Sequence, residues 1–124
     1  MKILVAVHKP YQMPKDSTYL PVMVGAALQE GYPANYTPDN TGQNMSEMNP
    51  FYNELTALYW AKYNLQDEDV IGLMHYRRYF GKKASHDLTD ILTETDIRNA
   101  LETADVLLPK QRNYYIETQK DHYF

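Results

Sequence analysis

Apolar side chains fall in short blocks along this chain, and the spacing inside each block predicts an element. Lys2 to Val7 carries the run Ile3, Leu4, Val5, Ala6, Val7, rich in branched residues. That is the pattern of a parallel strand covered on both faces, stopped at Pro10. Tyr19 to Leu28 is also apolar, but Pro21 and Gly25 interrupt it, and it reads as a short helix or an irregular packed segment. Glu30 to Asn49 is polar, with Pro33, Pro38, Gly42 and several asparagines, and reads as a long loop of the kind that binds something or moves.

Asn49 and Pro50 form a helix start, a capping side chain followed by a proline whose missing N–H costs nothing. Phe51, Leu55, Leu58, Tyr59 and Lys62 then recur at helical spacing, which predicts a helix from Pro50 to Tyr63 with those side chains turned inward. Val70 to Met74 reads as a second buried strand. Thr93 opens another helix, with Asp96 completing a capping box and Ile97 and Leu101 on its inner face. Asp105 to Leu108 reads as a third strand, ended by Pro109. Strand, loop, helix, strand, helix, strand is the order of an α/β fold, a mostly parallel sheet flanked by helices. A three-stranded sheet of this kind keeps an open edge, which calls for a partner or for further chain.

Composition narrows the function classes. A length of 124 residues suits one domain. Tyrosine is over-used, with 12 Tyr against 3 Phe and 1 Trp, which favours half-wet packing and broad clefts. The formal net charge of -4 gives no general attraction to polyanions, so nucleic acid is not an expected partner. With no cysteine, disulfides, thiolate metal sites and thiol nucleophiles are all excluded, and a reducing compartment fits. The apolar run at the N-terminus is too short for a signal peptide or a membrane span.

The sharpest chemical signal is His75-Tyr76-Arg77-Arg78-Tyr79-Phe80 after the second strand. Ligands of open α/β sheets collect at the carboxyl ends of the strands. Two adjacent guanidiniums suit a diphosphate, and tyrosines can stack on a base or a sugar. The competing reading pairs the arginines with Asp39, Glu54 or Asp69 while the tyrosines pack. If the segment stays extended, His75, Arg77 and Tyr79 share one face; a turn would cancel that. The loop Asp39-Asn40-Thr41-Gly42 with Asn44 can present backbone donors to a ligand or serve ordinary turns. His8, ending the first strand, stands at another ligand position. Tyr114 and Tyr115 can line a sugar cleft or pack, and no nucleophile elbow is present.

These blocks together resemble a known family. Lys2-Ile3-Leu4-Val5 leading to His8-Lys9-Pro10, Asp39 through Ser46, Asn49-Pro50 through Ala61, Ile71 through Phe80, and Leu108 through Tyr115 are similar to the DUF4422-type glycosyltransferase-like domain of bacterial capsular and exopolysaccharide biosynthesis proteins. The resemblance implies a partial Rossmann-like nucleotide-sugar-binding domain of the A type. It also implies that residues 1–124 are the N-terminal, donor-binding half of a longer domain. It further implies transfer of a hexosyl unit from a nucleotide sugar, expected to be UDP-linked, to a glycan or lipid-linked acceptor, in the cytoplasm or at the inner face of the membrane.

The donor-binding residues implied are His8, Asp39, Asn40, Thr41, Gly42, Asn44, His75, Tyr76, Arg77, Arg78 and Tyr114, with Glu54, Asp39 and His75 as catalytic candidates. No organic cofactor is expected. Where many A-type enzymes carry Asp-x-Asp, this sequence has His75-Tyr76-Arg77, so an arginine can neutralise the leaving diphosphate. A divalent cation, Mn or Mg, is permitted but not required, and Asp39 can meet either a ribose or that metal. Two alternatives stay open: a truncated module that binds nucleotide sugar without transferring it, and a structural or oligomerising α/β protein; beside the donor and acceptor, a homo-oligomer or a complementing C-terminal segment is an expected kind of partner.

Overall fold

The computed structural model describes residues 1–78, 80–81 and 88–108. Four strands form one sheet: β1 (Lys2–Val7), β2 (Tyr19–Met23), β3 (Thr37–Pro38) and β4 (Ile71–His75). Their order is β3-β2-β1-β4 and every neighbouring pair is parallel. The helices are α1 (Asn49–Tyr52), α2 (Leu55–Asn64) and α3 (Glu94–Leu101).

β1 lies at the centre because it has no polar residue between Ile3 and Val7 and can be covered on both sides. Ile3, Val5 and Val7 join Met23, Met74, Tyr76 and Ile97 of α3 in one core layer. Leu4 and Ala6 join Val22, Ala57, Trp60 and Ala61 in the other, under α2. Gly72 of β4 makes room for β1, since a Cβ there would stand 2.5 Å from Cδ1 of Ile3.

Several elements differ from the sequence expectation. Tyr19–Met23 is a strand, not a helix: Pro21 sits opposite Val5 in the register, and the apolar residues before Gly25 find a pairing partner in β1. The long polar loop contains β3 and a 3₁₀ turn, Ser46–Met48. The expected helix from Pro50 to Tyr63 is broken at Asn53, whose φ of 54° lies in the left-handed region. Asn49 does not cap; its Nδ2 donates instead to Asn53 O at 2.8 Å and Thr56 Oγ1 at 3.2 Å.

The inner face of α2 is also reversed. Phe51, Leu55 and Leu58 are exposed, while Thr56, Ala57, Trp60 and Ala61 are buried. The segment is apolar nearly all round, so periodicity could not choose a side. Close packing on β1 selected the small residues. The outward face, with Met45, Tyr52, Leu55, Leu58 and Ile71, lines an open apolar groove.

Asp105–Leu108 forms no strand: Leu107 packs against the core, whereas Val106 and Leu108 are exposed. The Thr93–Asp96 capping box is present with both bonds, Asp96 N to Thr93 Oγ1 at 3.2 Å and Thr93 N to Asp96 Oδ2 at 3.0 Å. Arg98 of α3 donates through both terminal nitrogens to Asp69 and through Nε to Glu94. Among the described residues no helix is long and apolar enough to cross a membrane.

Tyr19 ties β2 to the segment before α3, donating its hydroxyl to Leu92 O at 2.6 Å. Burial, with Asp16 and Asp96 adding to it, pushes its phenol up to about 12. The unfolded chain therefore releases this proton first, near pH 10, and stability falls as pH rises through the window from about 10 to about 12. Urea unfolding between pH 8 and 11.5 is expected to show that fall, and Tyr19→Phe, though less stable at neutral pH, is expected to show a shallower one. Equal slopes in the two proteins would refute the assignment.

Candidate functional site at the strand ends

All four strands run the same way, so their carboxyl ends share one edge. Val7 ends β1 and delivers His8, Lys9 and Tyr11; His75 ends β4 and delivers Tyr76, Arg77 and Arg78. The chain turns at once: Arg78 N donates to His75 O at 2.9 Å, and His75 and Arg78 form an antiparallel bridge. The turn cancels the extended alternation of this segment, and Tyr79 lies outside the described residues.

Tyr76 is the pivot. Its side chain is only 1% exposed, and its N–H donates to Ala6 O at 3.1 Å, so it belongs to the core rather than to an open binding surface. Its ring carries the cluster. Tyr11 meets it edge-on at 4.9 Å between centroids, and His8 does so at 5.3 Å. The Arg77 guanidinium lies 5.4 Å from its centroid and the Lys9 ammonium 5.9 Å, both within cation–π range. His75 lies 4.3 Å from Tyr76 and 6.3 Å from His8.

Lys9 and Tyr11 were missed as site residues. The signal for them was there, because they follow β1 directly, at the strand end where ligands gather. Tyr36 fixes this stretch, donating its hydroxyl to Tyr11 O at 3.0 Å and accepting Tyr11 N–H at 3.1 Å.

Burial holds the His75 imidazole below the usual histidine range. Glu54 opposes this, and Arg77, His8 and Arg78 reinforce it. Glu54 stands at the N-terminus of α2 and so faces the same edge. Among the described residues the ion pairs are those of the N-terminal amine with Glu68 and Asp69 and of Arg98 with Asp69 and Glu94. Neither Asp39 nor Asp69 neutralises Arg77 or Arg78.

Asp39 has a different position from the one expected of a ligand contact. It is fully buried, and its two oxygens accept four donors. Oδ2 takes Gly25 N–H at 2.9 Å and Thr56 Oγ1 at 2.8 Å; Oδ1 takes Ala26 N–H at 3.0 Å and Ser46 Oγ at 2.5 Å. This carboxylate joins the end of β2, the 3₁₀ turn after Met45 and the first turn of α2. It is a structural hub with no acceptor left for a ribose or a metal.

The neighbouring loop is drawn the other way. Thr41 Oγ1 accepts the Trp60 indole N–H at 2.8 Å, Gln43 O accepts Asn64 Nδ2 at 2.9 Å, and Asn44 closes on Gly42 O at 2.9 Å. The Trp60 and Asn64 contacts lie along the later turns of α2, whereas Glu54 and Thr56 mark its start. Thr41 and Gly42 are therefore drawn to the later turns of α2 rather than to the His8–His75 cluster. Gly42 has φ 56°, and a Cβ there would stand 2.1 Å from Asn64 Oδ1, so its glycine answers to this packing. Tyr114 lies outside the described residues. Among the described residues no three His, Asp or Glu side chains are grouped to hold a metal ion, and no chemical step is assigned to one.

The geometry thus gathers His8, Lys9, His75, Arg77 and Arg78, with Glu54 opposite, on a tyrosine floor at the carboxyl edge of a parallel sheet. Such a cluster suits an oxyanion. A solved structure of similar sequence is the apo form of the WbbM bifunctional glycosyltransferase, 40% identical with a TM-score of 0.61. The match covers 68% of this chain and 15% of that one, so the chain spans a small part of that protein's length. No curated protein matches the sequence. The profile of a family described as a domain of unknown function, DUF4422, matches residues 2–124. The Rossmann-like parallel sheet flanked by helices and this match over nearly the whole sequence agree: the chain belongs to the DUF4422 family.

Proposed function

We propose that this chain is the donor-binding portion of a nucleotide-sugar-dependent glycosyltransferase that moves a hexosyl unit to a glycan or lipid-linked acceptor in surface polysaccharide synthesis. It would act in the cytoplasm or at the inner face of the membrane. The observation that carries the reading is the pair of cations, Lys9 and Arg77, held over the buried Tyr76 ring where β1 and β4 end. The likeness to a glycosyltransferase supports it.

Breaking the bond between the anomeric carbon and the diphosphate puts charge on the departing phosphate oxygens. Guanidinium and ammonium groups already gathered on one edge stabilise that charge without reorganising. The acceptor hydroxyl must lose its proton as it attacks the anomeric carbon, and to Glu54, at the start of α2 and electrostatically linked to His75, we assign orienting that hydroxyl or taking its proton.

Calorimetric titration of the chain with UDP-galactose, UDP-glucose and UDP, with and without manganese, tests the reading. Saturable binding at one site per chain is expected, unchanged by the metal. A folded chain that binds none of the three under either condition would overturn it. Binding without sugar release in the presence of acceptor would reduce the chain to a binding module.

A further inference from the structure

Resting on the donor reading, a regulatory property of the same site follows from the two bonds that His75 makes with its own turn. Arg78 N–H donates to His75 O, and Arg77 N–H points to His75 Nδ1 at 3.4 Å. An imidazole that accepts at Nδ1 carries its one hydrogen on Nε2, and a protonated ring would have to donate at both nitrogens. This contact favours a neutral His75 ring in the free site, with Arg77 N–H turned toward Nδ1.

The groups facing this ring among the described residues come from three elements. His8 follows β1, Arg77 and Arg78 lie in its own turn, and Glu54 stands at the start of α2. Three of these four are basic, and they oppose a further positive charge on the ring until an anion arrives among them.

We propose that a diphosphate bound at this cluster is captured together with one proton, which passes from solvent to His75 Nδ1 and frees Arg77 N–H to donate to the phosphate. One N–H bond forms at Nδ1 as the buffer acid gives up its proton, and no bond of the ligand breaks. The ring changes from acceptor to donor, and one backbone N–H changes partner. Binding and protonation then favour each other, so affinity rises as pH falls. Burial and the surrounding bases, which hold the free imidazole below the usual range, leave room for a bound anion to raise it.

UDP-galactose is the suitable probe, because both its phosphates are esterified and its charge stays constant through neutral pH. The terminal phosphate of UDP titrates near pH 6 and would add protons of its own. The chain is titrated at pH 7 in buffers of differing ionisation enthalpy. The dependence of observed heat on that enthalpy is expected to give about 0.5 to 1 proton taken up per ligand, and affinity to weaken about 3- to 10-fold per pH unit from 6.5 to 8.

His75→Asn keeps an acceptor oxygen near the Nδ1 position but cannot take the proton; it is expected to bind with little uptake and little pH dependence. Proton NMR of the His75 ring in the unaltered chain gives a measure free of any variant, its titration moving upward by a unit or more on ligand addition. Binding with heats independent of buffer, or uptake undiminished in His75→Asn, overturns the proton coupling and leaves the donor reading standing. Absence of binding at every pH overturns both.

Discussion

Asp39→Ala is expected to lower the unfolding free energy by about 3–5 kcal/mol, among the largest effects of any single substitution in this chain. Removing the carboxylate strands Gly25 N–H and Ala26 N–H in a buried place and leaves Ser46 and Thr56 hydroxyls without their acceptor. Water cannot repair all four, because Asp39 has no exposed surface.

Asp39→Asn is the informative companion. The Thr56 and Ser46 hydroxyls can turn to accept from the new amide, but an amide nitrogen cannot accept from Gly25 or Ala26 N–H. A loss of about 1–3 kcal/mol is expected. Equilibrium urea unfolding measures both, and a midpoint for Asp39→Ala equal to the parent's would refute the structural role. Because the hub fixes the first turn of α2, and with it Glu54, donor affinity is expected to fall in any Asp39 variant that remains folded.

Arg77→Ala is expected to weaken UDP-galactose binding by about 10- to 150-fold, the loss of a charge-assisted contact worth about 1.5–3 kcal/mol. Its side chain is exposed and its packing is the cation–π contact with Tyr76, so the urea midpoint should hardly move. Arg77→Lys keeps the charge and loses the fork that can engage two phosphate oxygens, and only partial recovery is expected. Calorimetry that finds Arg77→Ala binding within about threefold of the parent would remove the phosphate role from this residue and the strand-end reading with it.

Part of this architecture was legible in the residues themselves. β1 and β4 stand where apolar runs placed them; β1 is covered on both faces, as consecutive apolar positions require, whereas β4, last in the described strand order, is fully buried only at Met74. The Thr93–Asp96 box was readable because both of its bonds are local. The strand-end position of His8 and of His75 through Arg78 followed from where those apolar runs stop. Membership of the family, too, was carried by linear blocks of sequence.

Other features were settled only by the fold. Tyr19–Met23 contains a proline and could not be recognised as a strand until β1 lay beside it. The face of α2 that turns inward depended on how closely the helix approaches β1, and the small side chains of Ala57 and Ala61 won over larger ones. Asp39 looked like a ligand contact because a carboxylate in a polar loop ordinarily is exposed. Its partners are 7 to 17 residues away in sequence, and no local pattern announces four donors converging on one side chain.

The cluster on Tyr76 has the same origin. The sequence by itself determined which residues leave β1 and β4 and what charge they bear. Only the parallel pairing of those two strands, in a register that sets Ala6 beside His75, brought Lys9 and Arg77 onto one ring. Sequence fixes local propensity and chemical type; which distant groups meet is decided by the packing that buries both faces of the sheet.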